Sequence, residues 1–219
     1  MVAPPPGTVT GRRREMAVAT AAGESEDYIT VESVSRLHST MPEITDSDKI
    51  RGAQIVQLTA YPDQRGRFVE TFRKEWFPQR EFGSIQMNVS YSTAGVVRGL
   101  HYHHRQIDYW YLVSGRIRLG LCDLRPSSPT HRATQTLDLD SDNPMGIYIP
   151  IGVAHGFLSL TDIVLTYLVD NYYDSTDENV VAWNDPDIGI DWGAEAPTVP
   201  ERDSTSPLLR EIDPADLPT

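Results

Sequence analysis

From Ile50 onward the chain breaks into short runs in which apolar or β-branched residues alternate with polar ones, divided by Gly, Pro, Asp, Asn or Ser. The runs are QIVQLTAY, RFVETF, IQMNVSYS, DYWYLVSG, RIRLGLCDL, ATQTLDLD, IYIP, GFLSL and IVLTYLVDNYY. Each reads as a strand, and many short strands without a β-α-β rhythm or an internal repeat predict an all-β sandwich or barrel. One segment, RKEWFPQREF, predicts a short helix that Pro78 limits. Residues 1–48 lack this pattern and include APPPGTVTGRRRE, so a disordered or loosely packed extension is expected there. The β-domain is then expected over 49–192. A tail rich in Pro, Glu, Asp and Ser follows over 193–219, with a short docked helix within RDSTSPLLREI.

Composition narrows the class. A chain of 219 residues with 39% hydrophobic content can bury one substantial core. The single cysteine, Cys122, lies in the apolar run Leu119-Gly120-Leu121-Cys122, so no disulfide framework exists and a reducing, cytoplasmic setting is expected. No run approaches the roughly 20 apolar residues of a membrane span, and no secretory h-region is visible at the N-terminus. A formal net charge of -12 argues against nucleic acid as the partner. An anionic small molecule stays open, because a few arginines aimed into a cleft set the local potential.

The stretch RGLHYHHRQIDYWYLVSG concentrates the chemistry, with His101, His103 and His104 among the chain's 6 histidines. Residues two apart on a strand share a face, so His101 and His103 project together. If the next strand starts near Asp108, then Asp108, Trp110 and Leu112 share one face and Tyr109, Tyr111 and Val113 the other. A second segment, IPIGVAHGF, places His155 after a Pro-x-Gly turn. His101, His103, Asp108 and Gly115 followed by Pro150, Gly152 and His155 resemble in spacing the two motifs of the cupin superfamily. That resemblance implies a double-sheet antiparallel β-barrel, or jelly roll, with short peripheral helices. In metal-binding cupins the corresponding three histidines and carboxylate are the ligands, a set suited to Fe(II), Mn(II), Ni(II) or Zn(II). Here Asp108 stands where Glu is usual, and Ser159 where Asn is usual.

A narrower resemblance covers Ile50 to Leu209. DQRGRFVETF, QMNVSYSTAGVVRGLHY, DLRPSSPTH, IPIGVAHGFLSL, YLVDNYY and WNDPDIGIDW occur in the order found in the dTDP-4-dehydrorhamnose 3,5-epimerase family. The resemblance implies a cytoplasmic homodimer acting without metal or other cofactor on a dTDP-4-keto-6-deoxysugar, in deoxysugar biosynthesis. It assigns His101 as the base, Asp203 as the carboxylate orienting it, and Tyr167 as the acid on the other face of the sugar. It assigns Arg65, Glu70, Gln86, Asn88, Arg98, His155, Glu178 and Arg202 to nucleotide and sugar binding, and Tyr173 to stacking on thymine. Arginines suit a diphosphate through paired, charge-assisted hydrogen bonds.

One position departs from the family. Its members carry a lysine where this chain has Asp108, and a cation there would stabilise an enolate oxygen. Three readings follow: an epimerase in which Arg105, His103, His104 or a metal takes over that role, a metal-dependent cupin using His101, His103, Asp108 and His155, or an inactive sugar-nucleotide binder.

Overall fold

The alternating runs form strands in the computed structural model, which describes residues 41–219. In chain order these are β1 (Glu43–Asp46), β2 (Gln54–Gln57), β3 (Ala60–Asp63), β4 (Gly66–Val69), β5 (Gln86–Ser92), β6 (Val97–Tyr102) and β7 (Asp108–Ser114). They continue with β8 (Arg116–Asp123), β9 (Thr134–Asp140), β10 (Met145–Ile149), β11 (Val153–Ser159), β12 (Ile163–Val169) and β13 (Asn179–Val180). One antiparallel sheet has the order β1-β2-β10-β7-β12-β5 and the other β13-β6-β11-β8-β9, with β3 and β4 as a separate hairpin. Sheet neighbours that are distant in sequence make this the double-sheet jelly roll expected from the motif spacing.

Leu112, Leu119, Ile147, Phe157 and Leu165 pack between the two sheets as the central core. A second apolar layer, with Val97, Leu100, Tyr102, Ala154 and Trp192, includes Leu209 from the tail. A third, with Val56, Phe77, Tyr109 and Tyr148, gathers the segment around the expected helix. Several strands are therefore covered on both faces, which explains why Val153–Ser159 is buried at every residue and shows no alternation. Strand β7 does sort by parity. Trp110 and Leu112 enter the central core while Tyr109 and Tyr111 pack in the third layer, as period two requires.

The expected helix in RKEWFPQREF is only a 3-10 turn at Lys74–Trp76, ended before Pro78. In the tail, α1 (Glu201–Ser204) follows Pro200, and further 3-10 turns lie at Leu209–Glu211 and Pro214–Asp216. Residues 1–40 of the expected extension, with the Arg12-Arg13-Arg14 run, lie outside the described residues. Strand structure begins at Glu43, ahead of Ile50, with Ile44 paired to Val56.

The feature that shapes the site is a bulge in β6. His101 pairs with His155 and Arg98 with Phe157, so Gly99 and Leu100 together stand opposite Gly156. Arg98 and His101, three apart, thereby face the same way. Gly99 adopts φ +117, and a Cβ there would lie 2.7 Å from Gly156 Cα and 2.7 Å from the His155 carbonyl oxygen. Only glycine fits this turn of the backbone.

Candidate active site

A cavity of about 500 Å³ lies between the sheets, a volume suited to a small ligand. One wall carries Arg98 and His101 from β6 and His155 from β11. The facing wall carries Gln86 and Asn88 from β5, Asp108 and Trp110 from β7, and Tyr167 from β12. Tyr173, Glu178, Arg202 and Asp203 complete the lining from the segments after β12.

Asp203 reaches the cavity because Pro200 starts α1 and turns it toward β6. Its Oδ1 lies 3.2 Å from His101 Nε2, and its Oδ2 accepts a 3.0 Å hydrogen bond from the Gly99 amide. Burial drives the Asp203 pKa upward, but the hydrogen bonds from His101, Gly99 and Arg202 outweigh it and hold the carboxyl at about 2. The same His101 Nε2 is 2.6 Å from Arg202 Nη2. An arginine only donates and a carboxylate only accepts, so Nε2 serves Arg202 when it carries a lone pair and Asp203 when it carries the proton. Arg202 also donates to Glu178 at 2.7 Å. Tyr167, across the cavity, has its pKa raised by burial first and by the charges of Asp108 and Glu178 next, so its hydroxyl keeps its proton.

Asp108 is enclosed among polar neighbours. Gln106 Nε2 donates to it at 3.2 Å and Trp110 Nε1 at 3.0 Å. His103 Nε2 and His155 Nε2 stand 3.6 Å and 3.7 Å from its two oxygens. Burial lowers the His155 pKa to about 4, so the ring is neutral at pH 7. Of the four ligands in the metal reading, the structure groups His103, Asp108 and His155, and their ligand atoms lie within 4.8 Å of one another. His101 is not in that group. Its contacts are Asp203 and Arg202.

The structure thus brings together His101, Tyr167, Asp203, Gln86, Asn88, Arg98, His155, Tyr173, Glu178 and Arg202. Arg65 and Glu70 do not line the cavity. Arg65 sits at the β3-β4 turn and pairs with Asp63, and Glu70 pairs with Arg73 at 3.0 Å. Arg105 and His104 are exposed, with Arg105 paired to Asp174 at 2.7 Å. Sequence reasoning did not single out Asp177. Its buried carboxylate accepts from the His104 and Arg105 amides at 2.8 Å and 3.2 Å, and its carbonyl meets His103 Nδ1 at 2.8 Å. An Asp more than seventy residues away in sequence leaves no local signal of that role. Trp110 had one: it shares a strand face with Asp108, which its indole N–H meets.

An antiparallel barrel of cupin type that sets a histidine-carboxylate pair on one wall, a protonated tyrosine on the other and arginines at its mouth defines a class: a proton-transfer centre for an anionic ligand. Residues 47–211 match the family model described as dTDP-4-dehydrorhamnose 3,5-epimerase, and the chain belongs to that family. The dTDP-4-dehydrorhamnose 3,5-epimerase of Methanothermobacter thermautotrophicus is 36% identical over 168 residues, covering 73% of this chain and 91% of the relative. Among solved structures, NovW, a 4-keto-6-deoxy sugar epimerase from Streptomyces spheroides, superposes with TM-score 0.77 at 30% identity over 82% of this chain and 94% of its own. ChmJ, a 3'-monoepimerase from Streptomyces bikiniensis in complex with dTDP-quinovose, does so with TM-score 0.73 at 34% identity over 78% and 90%. Among the described residues no helix is long and apolar enough to cross a membrane.

Proposed function

We propose that this chain epimerises a dTDP-4-keto-6-deoxysugar at C3, C5 or both, in deoxysugar biosynthesis. The observation that carries this reading is the placement of His101 and Tyr167 on opposite walls of one cavity, with buried Asp203 behind the histidine. A sugar ring held between the walls presents one face to each. His101 takes the proton from the carbon next to the C4 ketone, and the electron pair moves onto the ketone oxygen as an enolate. Tyr167 then returns a proton to the same carbon from the other face, inverting it, and both side chains re-equilibrate with solvent. Asp203, held ionised, accepts from the imidazolium and keeps the ring oriented. Arg98 and Arg202 supply cationic forks for the diphosphate, and Tyr173, exposed at the mouth, offers a ring for thymine.

A homodimer extends the same reading. Edge strand β5 turns Gln86 and Asn88 into the cavity and leaves Met87, Val89 and Tyr91 on its outer face, each more than half exposed. An apolar stripe on a sheet edge favours pairing with a second copy. Arg65 and Glu70, away from their own cavity, are then available to the partner's. The reading also places the protein in the cytoplasm, where a lone buried Cys122 stays reduced.

The test is solvent deuterium uptake. Incubating the protein with dTDP-4-keto-6-deoxyglucose in deuterated water is expected to label C3, C5 or both, and His101→Ala to abolish it. Absence of label at both carbons with folded wild-type protein overturns the proposal.

A further inference from the structure

Three buried groups outside the His101, Asp203 and Tyr167 set converge without satisfying one another. His103 Nε2 is 3.6 Å from Asp108 Oδ1, and His155 Nε2 is 3.7 Å from Asp108 Oδ2. Both separations are too long for hydrogen bonds. The other nitrogen of each ring is committed: His103 Nδ1 meets the Asp177 carbonyl at 2.8 Å, and His155 Nδ1 the Val153 carbonyl at 2.9 Å. A carbonyl only accepts, so both Nδ1 atoms carry a proton, and both rings turn Nε2 toward Asp108. The direct donors to Asp108 are the neutral Gln106 and Trp110 side chains. Two imidazole nitrogens and a buried carboxylate thus face one another across gaps that a positive charge between them would close.

The spacing specifies that charge. A tetrahedral ion with bonds of roughly 2.05 Å holds its ligands roughly 3.3 Å apart, and the three ligand atoms here lie within 4.8 Å of one another, so the side chains close in on the ion as it binds. Histidines whose Nδ1–H groups are anchored on backbone carbonyls have the outer-shell geometry of metal ligands. All three residues line the cavity, which leaves coordination positions open toward it.

We propose that His103, Asp108 and His155 bind one divalent transition-metal ion, with two imidazoles and one carboxylate as ligands and the open positions facing the cavity. The ligand set suits Fe(II), Mn(II), Co(II), Ni(II) or Zn(II). His101 takes no part, because Asp203 and Arg202 engage it, so base and metal ligand are separate histidines. When bound, the ion supplies positive charge beside an oxygen in the cavity. That role rests on the epimerase reading, but the existence of the site does not.

The experiment reads metal without substrate. Protein purified without chelator and dialysed is expected to carry about one ion per chain by elemental analysis. Protein stripped with EDTA is expected to take up one equivalent of Co(II), with visible ligand-field bands of low-symmetry coordination. Asp108→Asn and, separately, His103→Gln should each weaken Co(II) binding by about a hundredfold or more. His104→Gln, at an exposed position outside the set, should leave it unchanged. No retained ion together with no Co(II) spectrum overturns the site, as does wild-type Co(II) affinity in folded Asp108→Asn. Failure of deuterium uptake with a metal-loaded protein would remove the epimerase reading and leave the site standing. Uptake at full rate by a protein that binds no metal would do the reverse.

Discussion

Replacing Asp203 by Asn keeps the shape of the side chain and removes its charge. The carboxylate faces the Gly99 amide at 3.0 Å, Arg202 Nε at 3.3 Å and His101 Nε2 at 3.2 Å, the last a donor when the ring carries its proton there. They hold the acid at about 2 against an ordinary 3.8, a preference for the ionised form of about 2.5 kcal/mol. Because the folded pKa is the lower one, this stability is fully present above about pH 4 and is lost as pH falls toward 2. An asparagine keeps the bond from Gly99, so Asp203→Asn should lower unfolding stability at pH 7 by about 1–2 kcal/mol, with the difference shrinking below pH 4. The effect on rate is separate. A hydrogen bond to a charged imidazolium is worth about 1.5–3 kcal/mol, so its loss should slow proton abstraction by about 10- to 150-fold. Deuterium wash-in followed by NMR, with kcat and KM measured separately, checks this, and the loss should fall mainly on kcat. A folded Asp203→Asn protein exchanging at the wild-type rate would refute the reasoning. So would a loss that only tracks the unfolded fraction, which would reduce Asp203 to a structural residue.

Tyr167→Phe removes the proposed acid but leaves the base, so label should still enter the substrate while inverted product falls by about 10²- to 10⁴-fold, read by NMR of the products. Gly99→Ala places a Cβ 2.7 Å from backbone atoms of β11 at φ +117. It should lower stability by about 2 kcal/mol or more in chemical denaturation and weaken dTDP binding, since Arg98 and His101 flank the bulge. Cys122 is buried with its pKa raised, by burial first, to about 12. It should resist iodoacetamide at pH 8 in the native protein and react fully on unfolding, as counted by mass spectrometry. Tyr91→Asp, on the outer face of β5, should shift the proposed dimer to monomer in sedimentation velocity without changing Co(II) uptake.

The strands were legible wherever one face is buried and the other is not, because a two-residue period is a local property of the chain. On β7 it put Asp108 and Trp110 on one face and Tyr109 and Tyr111 on the other, and the packing of Trp110 and Leu112 in the central core made the first of these the inward one. Motif spacing marked His101, His103, Asp108 and His155 as one constellation, and family resemblance added Tyr167 and Asp203. Where the tail and the segment around Phe77 cover the sheets from outside, alternation vanishes, since both faces are then apolar. The same limit applies to the short helix expected beside Pro78: its apolar residues pack in the third core layer as a single turn.

The division of labour among the histidines was beyond local pattern. By period two, His101 and His103 share a face and look equivalent, while Arg98 belongs on the other. The bulge at Gly99 turns Arg98 inward beside His101. Asp203, brought in by a four-residue helix a hundred residues downstream, then draws His101 away from His103, Asp108 and His155. Local sequence thus determined which residues share a face wherever a strand runs without a bulge. Tertiary structure decided which of them meet, because ligand geometry depends on the register between strands and on where the tail docks, and neither is written in a window of a few residues.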